Sequence, residues 1–263
     1  MAKDIALITG ASSGIGEALA GEFAGGGFDL VLVARSEGKL KQLAGKLRSA
    51  HGNRVHVIPA DLTQRTAAKK LLATLAEKKL EVEVLVNNAG VLEHGRFVDM
   101  PAGTHQRLID LNISGLTAML STFLPGMVAR GSGRILNVAS IAAFQPLPAL
   151  ASYAASKAYV LSLTESLSEE LRGSGVTATA LCPGVTDTGM LSGAQAKSEN
   201  LVVPDFAIGD VDDVASAGYR ACMKGEVICI PGLVNQLSTF SSRNTPRWLL
   251  RRITGAIGRY TTR

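Results

Sequence analysis

The stretch Thr9-Gly10-Ala11-Ser12-Ser13-Gly14-Ile15-Gly16 decides the fold of this chain. A short apolar run precedes it, and a helical pattern of apolar residues follows it. Glycines at these spacings let the backbone turn tightly and approach a pyrophosphate, while the helix N-terminus offers free N–H groups to that anion. A glycine-rich turn alone could be only a tight loop, but a strand before it and a helix after it favour a dinucleotide site.

Strands and helices alternate along most of the chain. Strands are predicted at 5–9, 29–34, 54–59, 82–86, 134–139, 176–181 and 226–230, and helices at 37–49, 63–79, 108–129, 152–171 and 211–223. This alternation predicts an α/β protein with a single-domain Rossmann fold, a doubly wound parallel sheet with helices on both faces. No repeat, linker or second domain is apparent.

Polar residues fall where predicted strands end, and ligands of such sheets bind outside the carboxyl ends of the strands. Arg35, Asp61 and Asn87 are therefore expected to line one edge, with Asp61 accepting from an adenine amino group. An acidic residue at position 35 would hold a ribose 2′-hydroxyl, whereas an arginine can grip a 2′-phosphate. The sequence thus predicts NADP(H) over NAD(H), the alternative being that Arg35 is merely solvated.

A second motif is Ser152-Tyr153-Ala154-Ala155-Ser156-Lys157, at the start of a predicted helix. A spacing of four places Tyr153 and Lys157 on one face, with a rise of about 6 Å between them. A nearby ammonium favours the phenolate and lowers the pKa of the phenol. The pair predicts a tyrosine able to exchange a proton nearer neutral pH, although the spacing alone also fits an exposed helix face.

Composition narrows the class of protein. The 263 residues are 46% hydrophobic, which suits one large domain, and none of the three cysteines is in a CxxC pair or at metal-ligand spacing to histidines. They are interpreted as reduced core residues, and no metal site is predicted. The N-terminus lacks a signal-peptide pattern and no segment is apolar enough to predict a membrane span, so a cytoplasmic location is expected.

The ordered motifs together resemble the classical short-chain dehydrogenase/reductase family. The matching residues are Gly10, Gly14, Ile15, Gly16, Asp61, the turn Asn87-Asn88-Ala89-Gly90, Asn112, Ser140, Tyr153, Lys157, Pro183, Gly184 and Thr188. The resemblance implies a seven-stranded sheet and nicotinamide-dependent chemistry at a carbonyl or alcohol. It also implies homodimers or homotetramers built on the helices 108–129 and 152–171.

The resemblance implies a role for each of four catalytic residues. Tyr153 would be the general acid in reduction and the base in oxidation. Lys157 would lower the pKa of that tyrosine and hold the nicotinamide ribose, Ser140 would hydrogen-bond the substrate oxygen, and Asn112 would hold a water in a proton relay at a bend in its helix. The implied cofactor-binding residues are Gly10, Ser12, Ser13, Gly14, Ile15, Gly16, Arg35, Asp61, Leu62, Asn88, Ala89, Gly90, Tyr153, Lys157, Pro183, Gly184, Val185, Thr186 and Thr188.

The substrate pocket is expected between the proline-containing loop 141–151 and a loop of weak periodicity at 189–209. Its predicted lining is Ser140, Ile141, Phe144, Leu147, Leu150, Tyr153, Val185, Met190 and Leu191. These side chains are mostly apolar and predict a hydrophobic ketone or secondary alcohol. A non-catalytic NADP(H) sensor or interaction protein is the alternative, although its expected signature, a broken set of catalytic residues, is absent.

The C-terminus departs from the rest of the chain. The chain has a net charge of +5, and the rest of the chain is close to neutral without six arginines near the C-terminus: Arg243, Arg247, Arg251, Arg252, Arg259 and Arg263. A basic surface over the whole protein is therefore absent, which argues against nucleic-acid binding. We therefore divide the chain into a catalytic domain, 1–240, and a basic amphipathic extension, 241–263. An apolar stripe among arginines in this extension has two interpretations. The extension could lie on an anionic membrane surface or cover a lipophilic substrate as a lid. It could instead be a helix packed on its own domain or on a neighbouring subunit. The ending resembles a branch related to ketoacyl reductases and hydroxysteroid dehydrogenases.

Overall fold

A computed structural model describes residues 3–186 and 208–261, with side chains through residue 256. The strands are β1 (Ile5–Thr9), β2 (Asp29–Ala34), β3 (Val55–Pro59), β4 (Val82–Asn87), β5 (Gly133–Val138), β6 (Val176–Leu181) and β7 (Ile228–Cys229). The helices are α1 (Gly14–Gly25), α2 (Glu37–His51), α3 (Ala67–Glu77), α4 (Ala102–Ile109), α5 (Leu116–Arg130), α6 (Ala151–Glu170), α7 (Val211–Lys224), α8 (Leu233–Asn244) and α9 (Arg247–Thr261).

The seven strands form one parallel sheet in the order β3-β2-β1-β4-β5-β6-β7. The order reverses between β1 and β4, which opens a crevice at the carboxyl ends of these strands. The predicted single-domain, doubly wound Rossmann fold with seven strands is confirmed. The sequence placed β7 at 226–230, whereas the structure pairs only Ile228–Cys229 with β6.

Burial on both faces explains why the strands are continuously apolar. Alternate residues of one strand enter opposite cores, as when Leu7 packs with the helices α3, α5 and α6 while Ile8 packs with α1, α2 and α7. Both side chains are fully buried. A parallel sheet covered on both faces requires this pattern, since neither set of side chains faces water.

The predicted helix at 108–129 is interrupted in the structure. The helix α4 ends at Ile109, the segment Asp110–Gly115 forms a π-helical turn, and α5 then continues to Arg130. A Cβ at Gly115 would lie 2.7 Å from the backbone oxygen of Leu62, so the chain approaches the end of the β3 region closely here. The bend that the family resemblance implied near Asn112 coincides with this turn.

The run Ala102–Arg130 is long and apolar enough to cross a membrane, by length and composition only. Within it, Met119, Phe123 and Met127 are buried in the core on one face of the sheet. Core helices pass the same test, and this packing accounts for the apolar character of α5.

Two boundaries expected from the sequence shift in the structure. The division at residue 240 falls inside α8, because that helix runs without a break to Asn244 and the next helix begins at Arg247. The predicted helix 63–79 begins only at Ala67, after turns at 61–66. Thr188, Met190, Leu191 and most of the predicted loop at 189–209 lie outside the described residues.

Candidate active site

A cavity of about 550 Å³ lies along the carboxyl edge of the sheet. Most of the residues singled out in the sequence line it: Gly10, Ser12, Ser13, Gly14, Ile15, Arg35, Asp61, Leu62, Asn88, Ala89, Gly90, Ser140, Ile141, Leu147, Leu150, Tyr153, Lys157, Pro183, Gly184, Val185 and Thr186. They come from segments that follow six different strands, β1 to β6, whose carboxyl ends the topology brings to one edge.

Besides Asn112, which is described below, three of the predicted site residues that the structure describes do not line the cavity. Gly16 lies beneath the turn, where a Cβ would be 2.4 Å from the oxygen of Gly10. Asn87 is buried and donates to Oδ1 of Asn137 at 2.9 Å, so it points into the protein. Phe144 packs against the core, with the guanidinium of Arg243 5.5 Å from its ring centre.

The cavity also contains residues that the sequence analysis did not select, among them Ser36, Thr63, Leu92, Arg107 and Leu111. Ser36 directly follows Arg35, so its place next to a strand end could have been anticipated. Arg107 and Leu111 belong to the α4 and π-helical segments, and their direction depends on the geometry of the bend near Asn112, which the sequence pattern does not give. Thr9 was missed as well, although it ends β1.

The first turn of α1 fits an anionic group. Ser13 precedes α1 in extended conformation and makes no side-chain capping hydrogen bond. The cavity reaches Ser12, Ser13, Gly14 and Ile15. The N–H groups of an uncapped first turn, together with the helix dipole, favour a phosphate at this position. The residues present therefore fit the pyrophosphate of a dinucleotide.

Thr9 and Asn88 fix the glycine-rich turn against the end of β4. The hydroxyl of Thr9 donates to the oxygen of Val86 and accepts from the N–H groups of Asn88 and Ala89, each at 3.0–3.1 Å. The Asn88 amide donates to the oxygens of Thr9 and Gly10 at 3.0 and 3.2 Å. These bonds set the width of the crevice between the two loops.

The end of the cavity near β2 and β3 contains one cation and one acid. Arg35 is exposed, and among the described residues its guanidinium forms no hydrogen bond or ion pair. The neighbouring Glu37 is instead paired with Lys41 at 2.7 Å. Asp61 uses Oδ1 to accept from the N–H and hydroxyl of Thr63 at 3.1 and 2.9 Å, which orients its carboxylate.

Ser140, Tyr153 and Lys157 meet at the other end of the cavity, and all three are buried. The Ser140 hydroxyl accepts from the N–H of Ala142 at 3.1 Å, donates to the oxygen of Pro183 at 3.4 Å and lies near enough to Tyr153 to lower the pKa of its phenol. The ammonium of Lys157 donates to the oxygen of Val138 at 2.8 Å and lies 5.7 Å from the Tyr153 ring centre. The predicted pair therefore shares one helix face.

The electrostatics of this pair differ from the sequence-based expectation. Burial raises the pKa of Tyr153 above its ordinary value, and only the hydrogen bond with Ser140 opposes that rise. Burial lowers the pKa of Lys157 to about 8, against a smaller opposing effect of Cys182. Desolvation is the largest influence on both pKa values, because both groups are removed from water.

Asn112 lies in the π-helical turn and does not reach the cavity lining. Its Oδ1 accepts from the N–H of Val91 at 2.9 Å, and its amide donates to the oxygen of Val91 and the hydroxyl of Ser156 at 2.9 and 3.1 Å. The side chain therefore joins the loop after β4 to α6. Since its polar atoms are already engaged, it holds the loop after β4 against α6, the helix that carries Tyr153 and Lys157.

Comparisons with known proteins agree with this geometry. Residues 4–199 match the family model described as short chain dehydrogenase. The chain is similar to a short-chain dehydrogenase from Sphingobium yanoikuyae in complex with NADPH, at 35% identity and a TM-score of 0.81 over 90% of this chain and 92% of that one.

Two further solved structures are similar over most of their length. One is the bulky-bulky ketone specific alcohol dehydrogenase from Comamonas testosteroni, at 30% identity and a TM-score of 0.77 over 94% of this chain and 96% of that one. The other is a short-chain dehydrogenase/reductase from Burkholderia phymatum in complex with NAD, at 28% identity and a TM-score of 0.81 over 91% and 92%. From its fold, its motifs and the family match, the chain belongs to the classical short-chain dehydrogenase/reductase family and is an oxidoreductase with a nicotinamide nucleotide cofactor.

Proposed function

We propose that the protein is an NADP(H)-dependent ketoreductase that interconverts a hydrophobic ketone and a secondary alcohol. The observation that carries this proposal is the meeting of Ser140, Tyr153 and Lys157 at one end of a cavity whose other end contains Arg35. An intact proton-transfer set argues against the alternative of a non-catalytic sensor.

The chain's own residues would handle the substrate oxygen and the proton. A bound nicotinamide supplies the hydride in reduction and accepts it in oxidation. The hydroxyl of Ser140 holds the substrate oxygen, where negative charge develops. Tyr153 gives its hydroxyl proton to that oxygen in reduction and takes it back in oxidation. Lys157 holds the cofactor ribose and stabilises the phenolate, and Asn112 positions the relay.

The cavity wall supports an apolar substrate. Leu147 and Leu150 line it as predicted, and Leu92 and Leu111 add to the same apolar wall. The similar enzyme from Comamonas testosteroni is specific for ketones with two bulky substituents, according to its description. We therefore propose a ketone with large apolar groups, in keeping with a place near the ketoacyl reductase and hydroxysteroid dehydrogenase branch.

Deuterium transfer tests the proposed reaction. NADPH deuterated at C4 of the nicotinamide should deliver its deuterium to the carbinol carbon of the alcohol. That atom is the carbonyl carbon of the ketone, which accepts the hydride. Mass spectrometry of the product measures this, and label at only one of the two C4 positions should transfer. Consumption of NADPH without label in the alcohol would contradict hydride transfer to the ketone.

Arg35 is expected to set the cofactor preference. In Arg35→Glu, the ratio of kcat/KM for NADPH to that for NADH should fall about 10- to 100-fold, because a charge-assisted contact to the 2′-phosphate is replaced by repulsion. Lys39→Glu is the control, since Lys39 carries the same charge on α2 but does not line the cavity. A natural chain that prefers NADH would refute the proposed preference.

The activity should depend on pH through Lys157. Its ammonium is lost as the pH rises through about 8, so kcat/KM for ketone reduction should decline there, while Tyr153 keeps its proton. Alcohol oxidation needs the phenolate and should increase toward alkaline pH. In Lys157→Arg, whose guanidinium stays charged, the decline should move to higher pH. A decline at the same pH in both proteins would assign it to another group.

The proposed assembly is a homodimer or homotetramer through α5 and α6. Both helices carry exposed apolar side chains, Val128 and Tyr159, which support such a contact. We propose a cytoplasmic protein with no nucleic-acid partner, whose C-terminal extension begins after α8. We also propose that Thr188 contacts the cofactor and that Met190 and Leu191 contact the substrate.

A further inference from the structure

The helix α8 has its polar face turned inward and its apolar face turned outward. Asn235, Thr239 and Ser242 recur on the inward face, and Thr239 is buried. The outward face carries large apolar side chains with high exposed fractions: Leu233 76%, Val234 59%, Leu237 71% and Phe240 68%. An amphipathic helix of a globular protein ordinarily buries its apolar face, so this face indicates a binding surface.

Contacts on the inward face fix the orientation of α8. The amide of Asn235 donates to the oxygen of Pro231 at 2.7 Å, and its Oδ1 lies where a Cβ on Gly184 would be only 2.4 Å away. The hydroxyl of Ser242 donates to Oε1 of Gln145 at 3.1 Å. The helix therefore cannot rotate to bury its apolar face without breaking the hydrogen bond to Gln145 and the close packing on Gly184, two residues that line the cavity.

The segment that carries this face has charged side chains of one sign, and one of them, Arg243, lies 4.0 Å from Glu165 of α6. After Glu226 the chain contains six arginines and neither aspartate nor glutamate. In α9, Leu250 and Thr254 are buried, whereas Trp248 and Ile253 are 55% and 47% exposed. The guanidinium of Arg252 lies 5.7 Å from the Trp248 ring centre. Exposed apolar and aromatic side chains among cations are the composition of helices that bind the surface of anionic bilayers.

We propose that the outward face of α8, together with Arg247, Trp248, Arg251 and Arg252 of α9, docks the protein on an anionic phospholipid bilayer. A second copy of the chain is a weaker candidate, because a symmetric contact would place this cationic surface against itself. A bilayer with anionic headgroups offers both an apolar layer and the opposite charge. The proposal goes beyond the proposed reaction and does not depend on it.

Co-sedimentation with vesicles tests the proposal in the absence of cofactor and substrate. The full chain should bind vesicles of phosphatidylcholine with phosphatidylglycerol, and bind those of phosphatidylcholine alone at least about tenfold more weakly. The α8 variant Leu237→Ser with Phe240→Ser should weaken binding about tenfold. Its control is Val98→Ser, which removes an equally exposed apolar side chain outside α8.

A second pair of variants tests the contribution of charge to vesicle binding. Arg247→Glu with Arg251→Glu should weaken binding to the anionic vesicles about tenfold or more. Lys39→Glu with Lys46→Glu makes the same change in net charge on α2 and should have a much smaller effect. Melting temperatures and, for any ketone that is turned over, NADPH consumption check that each variant is folded.

Failure of the natural chain to bind anionic vesicles would overturn the proposal. Equal loss of binding in Val98→Ser and in the α8 variant would overturn it too. Light scattering measures the molar mass of the protein in solution. If the α8 variant has a lower molar mass than the natural chain and neither protein binds vesicles, the face is a contact between two copies of the chain, and the proposal is wrong. None of these outcomes bears on the proposed reductase activity, which is measured separately.

Discussion

Replacing Tyr153 with phenylalanine should lower kcat for ketone reduction about 10³-fold, a typical contribution of a general acid. The substitution removes only the hydroxyl of a buried side chain that lies beside Ser140. The ring that packs in the cavity wall stays in place, so the dissociation constant for NADPH should change by less than about threefold. Stopped-flow absorbance measures kcat, and fluorescence titration measures binding.

Tyr159 provides the control on the same helix. Its hydroxyl hydrogen-bonds that of Thr117 at 2.8 Å and does not line the cavity. Tyr159→Phe should therefore retain nearly full activity while removing the same atom from α6. Retained turnover in Tyr153→Phe would refute the proposed role of Tyr153 as proton donor.

Replacing Ser140 with alanine should lower kcat about 10²- to 10³-fold, the usual cost of losing one donor to a developing oxyanion. Ser140 is buried, and the N–H of Ala142 holds its oxygen at 3.1 Å, so the hydroxyl is already oriented before substrate binds. The effect should fall mainly on kcat, since charge on the substrate oxygen develops in the transition state. Ser166→Ala, whose exposed hydroxyl bonds within α6, is the control.

Ser140 and Tyr153 should act as one unit. Residues that serve the same transition state are strongly non-additive, so the double variant should be little slower than Tyr153→Phe alone. Steady-state kinetics of the two single variants and the double variant give the coupling. Rate losses that multiply would mean that the two hydroxyls act independently and would contradict their joint role at one substrate oxygen.

Local chemistry made the fold and most of the cavity predictable. The glycine-rich turn and the regular alternation of strands with helices determine where the loops meet. Arg35, Asp61 and Ser140 could be placed at the cavity because each follows a parallel strand, and all such ends share one edge. Tyr153 and Lys157 could be paired from their spacing alone.

Features that depend on three-dimensional packing were not predictable. The spacing of Tyr153 and Lys157 indicated a lowered pKa for the tyrosine, but burial raises it, and burial depends on the loops that cover the pair. Asn87 and Phe144 follow strand ends in sequence, yet both turn into the protein. Periodicity likewise predicts an apolar face for α8, without revealing that this face is the exposed one.

Reduction of ketones by NADPH is the most direct test of whether the protein is a ketoreductase. The purified full chain is mixed with NADPH and a panel of hydrophobic ketones, and absorbance of the reduced cofactor is followed in parallel with Tyr153→Phe. We expect the natural chain to consume NADPH with at least one bulky ketone and the variant not to do so. Failure of the natural chain to bind either NADPH or NADH would contradict the proposal that the cavity binds a nicotinamide nucleotide.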